Sequence, residues 1–133
     1  MAIPRVTMNT HDNCIFCSLT PERIVAENEL CFAIMDGFPV SKGHTLIIPK
    51  RHVADYFELT PKEISAMQTL MKEIKCQRDH ELHPDGYNIG INVNAAAGQT
   101  IFHVHMHLIP RYIGDVENPK GGIRGVIPDK QKY

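Results

Sequence analysis

Three histidines, His103, His105 and His107, alternate with Val104, Met106 and Leu108. In an extended chain successive side chains point to opposite faces, and each residue rises about 3.3 Å. The imidazoles therefore share one face, about 6.6 Å from one to the next, and the apolar residues fill the other. Two kinds of chemistry suit such a row. Alternating histidines on a strand can aim two rings at a catalytic zinc, with a third ligand and an activated water completing a hydrolytic site. Alternatively, one imidazole is a nucleophile and its neighbours position or protonate the reacting group. Gly98-Gln99-Thr100, just upstream, favours the second reading. A glycine lets the backbone approach a ligand closely. Gln99 and Thr100 supply the donors that a phosphate oxygen or a developing alkoxide needs. Neutral imidazole is abundant above its ordinary pKa of about 6.5, and its attack at phosphorus gives a phosphoimidazole that water can hydrolyse. The attacking nitrogen must be unprotonated, so the other ring nitrogen carries the proton and donates it, usually to a backbone carbonyl.

A second constellation is Cys14-Ile15-Phe16-Cys17. A lone C-x-x-C is half a zinc site, a redox pair that would want a helix N-terminus to lower its thiol pKa, or two buried structural thiols. These four residues alone do not choose. The remaining thiols, Cys31 and Cys76, carry no motif, and the absence of an export signal at the N-terminus makes a disulfide framework the wrong expectation.

Several elements must position these groups. Thr60-Pro61-Lys62-Glu63 is a capping box with Pro at the first helical position. Ile64, Met67, Leu70, Met71 and Ile74 then recur at helical spacing, so a helix is expected from Thr60 to near Leu82, with His80 and His83 as surface residues at its end. A short helical turn is expected at Thr20-Pro21. Ile24-Val25-Ala26 and Leu30 to Met35 read as a hairpin around a polar turn. Thr45-Leu46-Ile47-Ile48-Pro49 reads as a buried strand, and Tyr87 to Asn94 as a strand joined through Ala95-Ala96-Ala97-Gly98 to the histidine strand. So short a connection makes those two antiparallel neighbours.

With 133 residues and a formal net charge of -1, the chain suits one domain and shows no electrostatic footprint for nucleic acid. No apolar run reaches the length of a membrane span. The expected organisation is a loose leader over 1–12, one domain over 13–112, and a Gly- and Pro-rich tail over 113–133. A cytoplasmic location is expected.

His103-Val104-His105-Met106-His107-Leu108-Ile109 resembles the signature of the histidine triad (HIT) family of nucleotide hydrolases and transferases, in particular bacterial and archaeal HIT-domain proteins. Gly98-Gln99-Thr100, Asp36-Gly37-Phe38-Pro39-Val40 and the block Lys42 to His52 resemble the same family, in order, so that the likeness spans about residues 14 to 112. The resemblance implies an α+β fold, with an antiparallel sheet of about five strands, one long helix and short helical turns. It implies hydrolysis of a nucleoside phosphoramidate or dinucleoside polyphosphate through a covalent nucleotidyl-histidine. The alternatives are a nucleotidyltransferase or phosphorylase, and a nucleotide-binding regulatory dimer whose turnover is incidental. By the same resemblance His105 is the nucleophile, and His107, Gln99 and Thr100 serve the phosphate or the leaving group. Asp36 holds the ribose hydroxyls and Asn92 touches phosphate or ribose; from position alone, Phe16, Phe32 and Ile34 are expected to line an apolar slot for the base. Some relatives hold a structural zinc, here through Cys14, Cys17, His52 and His103. The implied partners are a purine nucleotide or nucleotide conjugate and a second copy in a homodimer. Arg124 in the tail is a further candidate phosphate contact.

Overall fold

Thr60 starts the one long helix as its cap chemistry dictates. Its hydroxyl accepts from the Glu63 amide at 3.1 Å, and the Glu63 carboxylate accepts from the Thr60 amide at 2.9 Å. Helix α1 runs over Pro61–Leu82 and ends at His83, which takes a left-handed conformation at φ 50 and donates its amide to the Asp79 carbonyl. Met67, Leu70 and Ile74 form the buried stripe, with Ile64 and Met71 half-buried beside it. Two charged residues extend that stripe, and both are partnered, as buried charges must be. Glu63 receives two hydrogen bonds from the Arg51 guanidinium, at 2.9 and 2.8 Å, and these hold its carboxyl below the ordinary range. Arg78 donates to the Gly43 carbonyl and the Thr45 hydroxyl.

In the computed structural model, which describes residues 13–133, α1 crosses one face of a five-stranded antiparallel sheet. The expected leader over 1–12 lies outside the described residues. The strands are β1 (Ile24–Glu27), β2 (Cys31–Met35), β3 (Thr45–Pro49), β4 (Gly86–Gly90) and β5 (Met106–Arg111), in the order β1-β2-β3-β5-β4. The expected α+β architecture is therefore the observed one. Ala33, Ile47, Met106 and Leu108 pack under α1 in the main core. Phe32, Ile34, Leu46 and Ile48 face the other way and form a second cluster with Phe16. Directly opposed residues in a strand pair share a face. His107 pairs with Leu46 and so belongs to this second face.

Two elements are shorter than the sequence suggests. β5 begins at Met106, so His103 and His105 precede regular strand, and β4 stops at Gly90. The cause is local: the Val104 amide goes to the Val53 carbonyl at 2.8 Å, and Asn94 and Gly98 take positive φ of 74 and 96 in the connection. The face alternation survives, since Val104, Met106 and Leu108 are buried against α1. Beyond Pro110 no described residue is buried. There Asp115 receives two hydrogen bonds from Arg111, and short turns at Gly122–Val126 and Pro128–Lys130 complete the chain.

Gly43 sits where the helix, β3 and β5 converge. Its φ is +92, and a Cβ there would lie 2.7 Å from Leu82 Cδ1 and 3.2 Å from both Arg78 Cδ and Pro110 Cγ. Gly43→Ala is expected to destabilise the fold by more than the roughly 1–2 kcal/mol of a left-handed backbone alone. Gly37→Ala, where a Cβ meets nothing within 4 Å, should stay within about 0.5 kcal/mol. Urea melts of the two variants check the contrast.

Candidate functional site

The second face of the sheet carries a cleft of about 580 Å³, within the usual range for small-ligand sites. One wall is apolar and includes Phe16, Leu19, Ile34 and Leu46. The other is polar and includes Asp36, His44, Asn92, Thr100, His105 and His107.

Backbone groups assign the protons of these rings. His105 Nδ1 lies 2.9 Å from the carbonyl oxygen of His103. A carbonyl only accepts, so Nδ1 carries the hydrogen, and in the neutral ring the lone pair is on Nε2. The other end of the site works in the opposite sense. The Val40 amide donates to His44 Nδ1 at 3.1 Å. Neutral His44 therefore holds its proton on Nε2, which lies 2.9 Å from His107 Nδ1 and 3.3 Å from Asp36 Oδ2. His107 then accepts at Nδ1 and must carry its own proton on Nε2. The His105 and His107 rings, with centroids 5.2 Å apart, thus present a lone pair and an N–H respectively.

Burial keeps this arrangement neutral. It pushes His107 down to about 4, helped by the neighbouring His105 and His44 and opposed by Asp36. It also lowers His44, again against Asp36. His44 was given no role by sequence reasoning. Its only signal was a histidine at the mouth of a buried strand, and its partnership with His107 depends on the β3–β5 register.

Other expected site residues divide. Thr100, Asn92 and Asp36 line the cleft. Asp36 also accepts from the Phe38 amide at 2.8 Å, which fixes its carboxylate. Gln99 does not line it. Its side-chain amide donates to the carbonyls of Ala54 and Ile101 and accepts from the Asn94 amide. Gln99 is 4 % exposed and braces the loop that presents Thr100. Phe16 and Ile34 line the slot, whereas Phe32 packs in the apolar cluster beneath it. Arg124 stacks on Tyr133 at 4.7 Å and lies outside the cleft lining.

Cys14, Cys17, His52 and His103 converge, with one potential ligand atom from each within 4.8 Å of the others. Cys17 Sγ is 3.2 Å from His52 Nδ1, and His103 Nδ1 is 3.5 and 3.6 Å from the Cys14 and Cys17 sulfurs. Tetrahedral zinc with ordinary bond lengths would separate sulfur from nitrogen by about 3.6 Å. His103 Nε2 donates to the Pro49 carbonyl at 2.8 Å, which aims the Nδ1 lone pair at the cysteines, as the outer contact of a metal-bound histidine does. Burial and the adjacent Cys14 push the Cys17 thiol up to about 12, a penalty that a divalent cation reverses. The residues fit a closed metal site.

A family model described as the HIT domain matches residues 18–114. The chain belongs to the HIT family. A solved HIT family protein from Bacillus anthracis superposes with a TM-score of 0.73 at 43% identity, covering 80% of this chain and 78% of that one. A zinc-bound histidine triad family protein from Mycobacterium smegmatis superposes at 0.72 with 38% identity, covering 78% of each chain. Adenylylsulfatase HINT3 of Arabidopsis thaliana is 38% identical over 104 residues, which is 75% of this chain and 53% of that protein. Within this HIT domain the three triad histidines do different things: His103 turns to the cysteines, while His105 and His107 face the cleft.

Because the fold disfavours the His107 cation, its pKa lies below the unfolded value of about 6.5. The unfolded chain then binds more protons between about 6.5 and about 4, so this group's contribution to stability falls as pH falls through that window. A ¹⁵N-detected histidine titration should place the His107 midpoint near 4 and its proton on Nε2 at neutral pH. A midpoint near 6.5 would contradict the buried neutral ring.

Proposed function

We propose that this HIT protein hydrolyses a nucleoside phosphate derivative, a phosphoramidate or a dinucleoside polyphosphate, in two displacements at phosphorus. The observation that carries the reading is the pair of ring contacts, His105 Nδ1 to the His103 carbonyl and His107 Nδ1 to His44 Nε2, which support opposite proton placement in one cleft. His105 Nε2 attacks the nucleotide phosphorus, and the departing group leaves with the electron pair of the broken bond and takes up a proton from solvent. Nδ1–H stays on the His103 carbonyl, which stabilises the cationic phosphoimidazole as it forms. His107 Nε2–H and the Thr100 hydroxyl donate to the phosphate oxygens, where negative charge accumulates. Water then attacks phosphorus, the P–N bond breaks to return neutral His105, the proton lost by the water passes to solvent, and a nucleoside monophosphate is released. The apolar wall takes a purine base, while Asp36 and Asn92 address the ribose and phosphate.

In this reading the Cys14-Cys17-His52-His103 cluster holds a structural zinc, which supplies cross-linking of the N-terminal turn to the strand. Four protein ligands leave no position for water, so His103 anchors and His105 reacts. The open edge of β4, where Ile89 is exposed, is where the proposal seats a second copy, and light scattering should return the mass of two chains.

His105→Gly or His105→Asn should lower turnover by at least about a thousandfold, and His107→Ala by about a hundredfold. In wild-type protein, mass spectrometry after an acid-free quench should find the nucleotidyl adduct. Turnover by His105→Gly at the wild-type rate would remove the nucleophile. Rates below about 0.1 s⁻¹ on every phosphoramidate and polyphosphate, against a typical enzyme near 10 s⁻¹, would leave a nucleotide-binding protein instead.

A further inference from the structure

Phe16 lies between the two cysteines, on the turn closed by the Cys17 amide donating to the Cys14 carbonyl at 3.1 Å. It is 5 % exposed. Its ring meets the His105 ring edge-on, with centroids 5.1 Å apart at 72°, and the His103 ring at 6.0 Å and 79°. The same side chain forms part of the apolar wall of the cleft. One residue therefore touches a cysteine–histidine cluster, the ring with the free lone pair and the slot for a ligand.

The attachment of that turn to the sheet is narrow. Among the described residues, the hydrogen bonds made by residues 13–19 stay within the segment, apart from the cysteine–histidine contacts. What else binds it to the body is the packing of Cys14, Phe16 and Leu19 on the second cluster. A segment that, among the described residues, meets the sheet through side-chain packing and without strand pairing has a low local opening free energy, and a metal bridging it to His52 and His103 raises that free energy directly. On the His103 side the link is covalent. The residue whose ring joins the cluster also offers the carbonyl that holds His105 Nδ1–H.

We propose that Phe16 couples metal occupancy of the Cys14–Cys17 turn to nucleotide affinity, so that the cleft is closed on its base side only when the turn is metal-bound. This rests on the cleft being a nucleotide site. Coupling between two sites is reciprocal, so nucleotide must tighten metal binding by the factor by which metal tightens nucleotide.

The test measures zinc affinity by competition with a chromogenic chelator, with and without saturating adenosine 5′-monophosphate, and nucleotide binding by calorimetry. Wild type should bind one zinc per chain and hold it at least about tenfold more tightly when the nucleotide is present. Phe16→Ala should keep the zinc stoichiometry but shrink that factor to about twofold or less. Phe16→Leu, which keeps apolar volume without the ring edge, should fall between, and it carries the test if Phe16→Ala does not fold. A full tenfold factor in these variants would overturn the role of Phe16. A wild type that binds both zinc and nucleotide with no mutual effect would overturn the coupling while leaving the nucleotide site intact. Absence of zinc binding would overturn the inference alone. Failure of zinc-loaded wild type to bind the nucleotide would remove the nucleotide reading and the inference together.

Discussion

A neutral imidazole has one proton and one lone pair, and in this fold the main chain decides which nitrogen has which. The His103 carbonyl claims the His105 proton, the Pro49 carbonyl faces His103 Nε2, and the Val40 amide occupies the His44 lone pair. Every later assignment follows from those three contacts. His44 must donate to His107, His107 must donate outward, His103 must offer Nδ1 to the cysteines, and His105 must offer Nε2 to the cleft. A protein that relied on side chains alone to set these tautomers would find them interchanging, because the two neutral forms of imidazole differ little in energy. Backbone groups held in place by the fold, one in β3 at Pro49 and two in the connections at Val40 and His103, do not interchange.

The arrangement holds only while the rings stay uncharged. Protonated His44 would lose its acceptor nitrogen and set its Nδ1–H against the Val40 amide. Protonated His107 would bring two N–H groups face to face with His44. Burial opposes both events, since it disfavours the cationic form, and at His44 and His107 this outweighs the attraction of Asp36. Asp36 lies near enough to His44 Nε2 to polarise it, and its carboxylate is held by the Phe38 amide. The apolar cluster under the cleft is thus part of the electrostatics: Leu46 and Ile34 keep water from the rings.

Much of this was legible in the linear chain because it is local. The Thr60-Pro61-Lys62-Glu63 cap specifies where α1 begins without reference to anything distant, and the two-residue period keeps Val104, Met106 and Leu108 inward even where regular strand has not started. The partners hidden from sequence depend on register. His44 reaches His107 only because β3 and β5 pair Leu46 with His107. The partners of Gln99 are hidden for a different reason: an amide suits a phosphate oxygen and a backbone carbonyl equally, and the contacts with Asn94 and Ala54 depend on the turn and on a distant loop. Glu63 combines both lessons, since its cap role is written locally while its second partner, Arg51, is not.

His103 is the residue on which the two halves of the site depend. It is fully buried, its ring faces the cysteines and its carbonyl holds the neighbouring ring. A histidine at this position could serve a cleft directly only by turning its ring outward, and that would leave the Pro49 carbonyl without its donor in a buried place, at a cost of about 1–3 kcal/mol. The fold therefore separates the anchor from the reacting group by two residues, the smallest spacing that keeps both on one side of the chain. Three like residues in a row acquire unlike chemistry because each meets a different backbone group: Pro49 O, the His103 carbonyl, and, through His44, the Val40 amide. Composition alone does not distinguish them, and the path of the backbone around them does.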